Sequence, residues 1–312
     1  MKLTVGINSG DDVKKLIECG GDEFFSSVLI DNLYLSARPS LKQYNFSIEE
    51  IDQVSKIVLK NNKNFFIAMN EPYDDDEIPD ILSIMNNMID IGISGFIISS
   101  IPLLLKIKNS RKNYGKLILS CLALALNEGS ISMYKDMGIH RIILTRQNRI
   151  EEIEYFIKKF PNLEFETFGF FDKCNNLDEL CRTTDYINFN DKKYKKEGCI
   201  CHIAKTHEIV VSNSMKKIDN YENRIRDNLL WRIGCSHCFI RRLKKIGVTA
   251  VKLASRGWSF NKKLKVVKNL DELRRIEESK IKNLEFIKVS KLRFKELMGY
   301  DCHLPYDCYY RE

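Results

Sequence analysis

Six of the ten cysteines in this 312-residue chain fall in one stretch: Cys174, Cys181, Cys199, Cys201, Cys235 and Cys238. Thiolates are soft donors, and four of them hold a four-iron cluster through its corners. Cys199, Cys201, Cys235 and Cys238 would equally suit a Cys₄ zinc site, although the Cys-x-Cys spacing is tighter than the usual knuckle. Burial as small hydrophobes suits Cys19, but it is a strained account of six thiols in one loop-rich segment. Iron–sulfur and zinc therefore both remain open on spacing. His202 and His237 flank these positions as ligands or as donors to ligands. Near the end, Cys302 and Cys308 are a redox pair, a further ligand set or unmodified thiols.

Other residues have the types that chemistry needs. Arg146 and Arg256 follow strand-like runs, where a guanidinium can clamp carboxylate or phosphate in bidentate fashion or settle into an ion pair. Asn70 and Asn127 either orient a polar substrate or satisfy turns. Glu166 is a general base if buried, or else the salt-bridge partner of Lys252. Cys121 has no His or Asp placed by sequence to activate it, which favours a core thiol over a nucleophile. The chain carries 50 Lys and Arg against 42 Asp and Glu, a formal charge of +8. Between Lys216 and Lys245 there are nine basic residues against three acids, with Tyr221 and Trp231 interleaved. Such a segment is an RNA or phosphate surface, or a solvated helix face.

These side chains need a scaffold. Eight β-branched or aromatic runs alternate with helical patterns: Leu3 to Ile7, Asp22 to Ser26, Asn64 to Ala68, Gly95 to Ser99, Leu117 to Cys121, Arg141 to Thr145, Leu163 to Phe168 and Thr249 to Leu253. Ser47 and Glu50 predict a capping box for a helix through Leu59, with Ile48, Ile51, Val54, Ile57 and Val58 on one face. Eight strands with intervening helices predict an α/β, TIM-like (β/α)8 barrel. The barrel is expected over 1–265, including a cysteine-rich insertion at 169–248 between the seventh and eighth strands. A C-terminal extension follows at 266–312, with a helix near Leu270 to Glu278. The insertion leaves the C-terminal face, where this fold builds active sites. A hydrophobic content of 44% and six prolines exclude disorder as the main state. No apolar run reaches the ~18 residues of a membrane span, and the start has no signal-peptide core, so a cytoplasmic protein with reduced thiols is expected.

Several motifs, in order, resemble the collagenase-like peptidase family U32. Gly20-Gly21-Asp22-Glu23-Phe24-Phe25 is similar to the family's Gly-Ala-Asp-Ala-Val-Tyr. Ser36-Ala37-Arg38 and Asn45-Phe46-Ser47 match its Arg and Asn-Phe-Ser block, and Asn70 its strand-ending asparagine. Gly138 to Arg146 resembles Gly-Val-x-Arg-Val-Val-Leu-Ala-Arg. Glu166-Thr167-Phe168 with Cys174 resembles Glu-x-Phe followed by Cys, and Gly247 to Arg256 resembles Gly-Val-Asp-Ser-Leu-Lys-Ile-Glu-Gly-Arg.

The resemblance implies an open-faced barrel and, in cysteine-bearing branches, a [4Fe-4S] cluster. The matching ligands are Cys174, Cys181, Cys199 and Cys235, with Cys238 and Cys201 as alternates; zinc is the alternative metal. The catalytic positions expected at the barrel face are Asn70, Arg146, Glu166, Lys252 and Arg256. Members with the cluster are linked to oxygen-independent hydroxylation of RNA bases or quinone precursors. The expected function is thus oxidative modification of RNA or another large or aromatic acceptor. A peptidase or peptide-modifying enzyme is the alternative, as is a noncatalytic iron–sulfur or zinc partner subunit. RNA, a peptide or a paired U32-family subunit are the corresponding partners. Three departures from the family pattern bear on substrate: Arg146-Gln147 for Arg-Glu, Ser120-Cys121-Leu122 for Ser-x-Gln, and Phe170 for a histidine.

Overall fold

A computed structural model of the protein describes residues 1–30, 33–35, 45–172, 233–276, 281–302 and 308–310. Eight parallel strands close into a barrel: β1 (Lys2–Gly6), β2 (Glu23–Ser26), β5 (Asn64–Met69), β6 (Gly95–Ile98), β7 (Lys116–Leu119), β8 (Arg141–Ile143), β9 (Glu164–Phe168) and β12 (Ala250–Leu253). Each is hydrogen-bonded to its neighbours in sequence order, and β12 returns to β1, with Leu3 opposite Val251. The expected (β/α)8 barrel is the observed fold, and all eight anticipated runs are its staves.

Four short strands lie outside the barrel. β3 (Leu29–Ile30) and β4 (Leu33–Tyr34) form one antiparallel ribbon. β10 (Phe170–Asp172) and β11 (Ile233–Cys235) form another, which opens and closes the cysteine-rich insertion. Among the described residues the helices are α1 (Val13–Glu18), α2 (Ile48–Lys60), α3 (Ile78–Asp90), α4 (Ile101–Ser110), α5 (Glu128–Asp136), α6 (Ile150–Lys159), α7 (Ile240–Ile246), α8 (Phe260–Ile276) and α9 (Asn283–Met298).

Helix α2 shows how local sequence fixes an element. The Ser47 hydroxyl accepts from the Glu50 amide at 3.3 Å, and the Glu50 carboxylate accepts from the Ser47 amide at 2.8 Å. The predicted capping box is therefore made, and two orphan donors of the first turn are satisfied. Ile51, Val54 and Val58 are buried against the barrel, but Ile48 is 42% exposed, so the apolar stripe begins one turn later than its pattern implied. Helix α8 starts ten residues before the anticipated Leu270 and runs unbroken across 265–266. The reason is visible in its packing: Val266, Val267, Leu270 and Leu273 are buried, so α8 is the eighth barrel helix rather than the start of an appendage.

Strand alternation directs one residue in two into the barrel. At its N-terminal floor this set is ionic. Arg141 is fully buried, donating from Nη2 to Glu23 Oε1 at 3.1 Å, from Nη1 to Glu166 Oε2 at 2.9 Å and from Nε to Glu164 Oε2 at 2.7 Å. Lys2 donates to Glu23 at 2.7 Å and Lys116 to Glu164 at 2.7 Å. Burial alone would raise the Glu23 pKa, but the Arg141 guanidinium and then Lys2 bring it down to about 2. The same carboxylates hold Arg141 protonated against burial. Above this layer the interior is apolar and aromatic, with Phe66 and Phe25 among the fillers.

Candidate active site

At the opposite, C-terminal end of the strands a cavity of about 70 Å³ opens in the barrel mouth. Asn70, Arg146, Lys252 and Arg256 line it, together with Ser120, Cys121, Phe25 and Phe168. Four of the five anticipated catalytic positions are thus brought together. The fifth is not. Glu166 sits one layer below, fully buried, held by Arg141 at 2.9 Å and by Lys252 Nζ at 3.4 Å. It occupies the salt-bridge alternative named for it, and a carboxylate so engaged is no poised base.

Each lining group is set by a local device. Arg146 lies in the turn after β8, where Asn148 Oδ1 accepts from the Thr145 amide at 3.1 Å and from its hydroxyl at 2.8 Å. This Asx-type closure fixes the backbone just before the arginine. The guanidinium then stacks over the Phe168 ring, 3.9 Å from its centroid, and the residue is 7% exposed. Arg256 follows β12, where the Ser255 hydroxyl donates to the Gly6 carbonyl at 3.0 Å. A Cβ on Gly6 would stand 3.0 Å from the Phe25 ring and 3.1 Å from Arg256, so glycine there permits the close approach. Arg256 Nη1 donates to the Ser27 hydroxyl, which itself donates to Asn45. Asn70 donates to the Ser120 hydroxyl at 3.3 Å, while its carbonyl accepts from Ser99 at 3.0 Å.

Lys252 projects from the last barrel strand into the mouth, its Nζ 3.7 Å from the Phe25 ring centroid. Burial lowers its pKa, and Glu166 offsets part of that effect. Cys121 is near enough to couple electrostatically with it. The lining therefore carries three cationic side chains and neither carboxylate nor histidine. Buried cations with fixed geometry favour an anionic guest, and Arg146 and Arg256 have the forked donors for carboxylate or phosphate.

Several roles weighed for other residues resolve differently. Asn127 caps α5, its Oδ1 accepting from the Ser130 amide at 3.0 Å, so it serves the turn. Arg241 does not join an open basic face: it donates to the Ile281 carbonyl at 3.2 Å and stacks over Phe286 at 4.4 Å, pinned against α9. Arg242 pairs with Glu151 at 2.8 Å. Phe25, Phe168, Ser27 and Asn148 were not singled out by type, since aromatic walls and turn-closing polar groups have no distinctive local signature. Asn148, two residues beyond Arg146, was the most findable.

Cys174, Cys181, Cys199, Cys201, His202, Tyr221 and Trp231 lie outside the described residues. Cys235 and Cys238 are placed, beside the mouth: Phe170 pairs with Cys235, and the Gly169 carbonyl accepts from the Ser236 amide and hydroxyl, both at 2.8 Å. The insertion thus leaves the C-terminal face next to Phe168, as anticipated. Burial raises the Cys235 thiol pKa, while the His237 amide, 3.4 Å from its sulfur, opposes that. Burial and then Cys302 push Cys238 up to about 11. Among the described residues no group of three or more His, Cys, Asp or Glu side chains is arranged to hold a metal ion. His237 is fully buried and stacked on Phe170 at 5.2 Å, with burial lowering its pKa to about 4. Among the described residues no helix is long and apolar enough to cross a membrane.

Residues 9–297 match the model of peptidase family U32. The chain belongs to peptidase family U32. Two curated relatives, both called tRNA hydroxylation protein P, match over 129 residues: that of Haemophilus influenzae at 26% identity and that of Escherichia coli at 25%. Each match covers 41% of this chain and 28% of the relative, so the alignment spans well under half of the relatives' length. A solved structure from Aquifex aeolicus VF5 superposes with a TM-score of 0.50 at 12% identity, over 87% of this chain and 92% of that one, a likeness of fold.

Proposed function

We propose that this U32-family chain is an iron–sulfur enzyme that hydroxylates RNA, with tRNA the favoured substrate. The observation that carries the reading is the barrel mouth, where Arg146, Lys252 and Arg256 converge with Asn70 and no carboxylate opposes them. A phosphate-bearing or carboxylate-bearing molecule suits that lining. The relatives named for tRNA hydroxylation support RNA as the acceptor. Peptide cleavage is less well supported, because Ser120 and Cys121 have no histidine beside them in the cavity to activate them.

The iron–sulfur part rests on the donor set. Cys235 fits such a centre: its sulfur is buried beside the mouth and faces the His237 amide, and N–H···S contacts favour a thiolate ligand. Cys174, Cys181 and Cys199 would complete the set, with Cys238 and Cys201 as alternates. Such a cluster would supply one-electron transfer next to the cavity. Arg146 and Arg256 would bind and orient the anionic guest, the Phe25 and Phe168 rings would exclude water, and Lys252 Nζ would hold a proton at the mouth.

Two measurements on one preparation test this. Protein purified without oxygen should be brown and carry about four irons per chain, as one cubane requires. tRNA from cells lacking the gene should lose a nucleoside heavier than its parent by one oxygen atom, and the gene should restore it. Zinc in place of iron would remove the redox reading. An unchanged nucleoside profile would remove RNA as substrate.

A further inference from the structure

The C-terminal residues return to the base of the cysteine-rich insertion. Cys308 pairs with Cys235 as a parallel bridge, and the Tyr309 amide donates to the Cys235 carbonyl at 3.1 Å. The Tyr309 ring lies flat on Gly234, where even a Cβ would come within 2.2 Å of it, so glycine is what admits the ring. Tyr309 also packs on Phe168 at 6.2 Å, and Tyr310 on Phe239 at 5.4 Å. Aromatic packing and one backbone hydrogen bond thereby fix the register that sets the two cysteines opposite each other. Both are buried, at 5% and 3% exposure. Directly paired residues on adjacent strands stand about 4.8 Å apart, inside the 4.4–6.8 Å that a disulfide spans between Cα atoms. No disulfide joins any described cysteine.

We propose that Cys235 and Cys308 are a redox pair whose oxidation to a disulfide staples the C-terminal segment to the β10–β11 ribbon behind the barrel mouth. The oxidant is a small disulfide such as glutathione disulfide. One thiol gives up its proton and attacks that disulfide, forming a mixed disulfide and expelling one glutathione thiolate. The second deprotonates and attacks the mixed disulfide, expelling the other. The pair loses two electrons and two protons, and glutathione disulfide is reduced to two thiols. The staple bears on function through Tyr309, which backs the Phe168 ring on which Arg146 lies. Oxidation fixes that wall, and reduction leaves it held by packing alone. The pairing goes beyond the iron–sulfur reading, and a metal bound to Cys235 would compete for the same sulfur.

The full chain, as isolated and with its iron and zinc measured, is equilibrated across glutathione redox buffers, blocked with N-ethylmaleimide and digested with trypsin without reductant. The expected product joins the fragments 233–241 and 296–311, lighter than their sum by two hydrogens. Each fragment carries two cysteines, so variants assign the bond: Cys238→Ser/Cys302→Ser together should keep the link, and Cys308→Ser should abolish it. A link that survives in Cys308→Ser, or that never forms in the wild-type chain after chelation has removed any metal, overturns the pair. A metal-loaded sample should link only after chelation. Equal linking while loaded would leave the pair standing and would show that Cys235 is not a metal ligand, overturning only that part of the proposed function.

Discussion

Replacing Arg141 by methionine removes the cation at the barrel floor while roughly preserving its apolar stem. Glu23 and Glu166 are then left as buried carboxylates, with Lys2 and Lys252 as their remaining partners. Breaking a buried ion pair from one side costs about 3–5 kcal/mol, because a charge is left uncompensated. The structure supplies an independent scale. Depressing Glu23 from 4.5 to about 2 corresponds to about 3 kcal/mol of native-state stabilisation. The sign follows: a carboxylate with a depressed folded pKa contributes in full above 4.5, and the contribution disappears as pH falls through about 2. Wild-type protein at pH 5 keeps nearly all of it. In Arg141→Met the main lowering influence is gone, so desolvation raises Glu23 and the residue escapes its penalty by taking up a proton as pH falls. Urea unfolding followed by circular dichroism should show a loss of about 3–5 kcal/mol at pH 7, shrinking by about 1 kcal/mol or more at pH 5. Adding Glu23→Gln should recover part of the loss, as removing both partners costs less than orphaning one. A deficit under about 1 kcal/mol at pH 7, or one independent of pH, would refute this account of the floor.

Removing the charged forks at the mouth is expected to act on turnover instead. Arg146→Met or Arg256→Met should lower kcat/KM for the hydroxylated RNA by about 10- to 150-fold, the equivalent of a charge-assisted hydrogen bond of about 1.5–3 kcal/mol, with the urea midpoint nearly unchanged. Glu166→Gln should chiefly destabilise, and a variant that folds like the wild type but loses all turnover would restore Glu166 as a base. Replacing Cys174 or Cys181 by Ser should abolish iron binding because a hydroxyl is a harder donor, whereas Cys19→Ser should not; full iron in every variant would show the ligand set to be wrong. RNA affinity should fall with salt by a log–log slope of about 0.7 per phosphate contact, and Arg242→Glu should flatten that slope. Arg241 is the wrong residue for that test, since it is packed on Phe286 and its reversal would perturb α9.

The barrel was legible because its signal is local. Runs such as Asn64–Met69 and Gly95–Ile98 are buried end to end, and their β-branched and aromatic composition says so without any partner in view. Asn70, Arg146, Lys252 and Arg256 were found for the same reason: strand ends in this fold converge at one face. What escaped depends on pairings between distant positions. Glu23 and Arg141 are separated by 118 residues, and each reads by itself as an ordinary surface charge near a strand start. Cys235 and Cys308 likewise meet through the register of a tail held by Tyr309. The β3–β4 ribbon of two-residue strands is too short to leave a pattern. Arg241 was misread because a cation stacked on a ring has the same sequence signature as a solvated one.

The floor and the mouth are joined by one column of charge. Arg141 holds Glu166, and Glu166 in turn meets Lys252, which reaches into the cavity. Each step shifts one layer along the barrel axis, since Ala250 pairs with Glu166 and Lys252 with Phe168. A lysine buried there alone would shed its proton, and Glu166 is the counter-charge that opposes this. Arg141 draws on the same carboxylate through its other oxygen, so the floor arginine moderates how strongly Glu166 attracts the lysine. Arg141 therefore bears on the charge state of the mouth without touching its contents, through a carboxylate that serves structure below and electrostatics above.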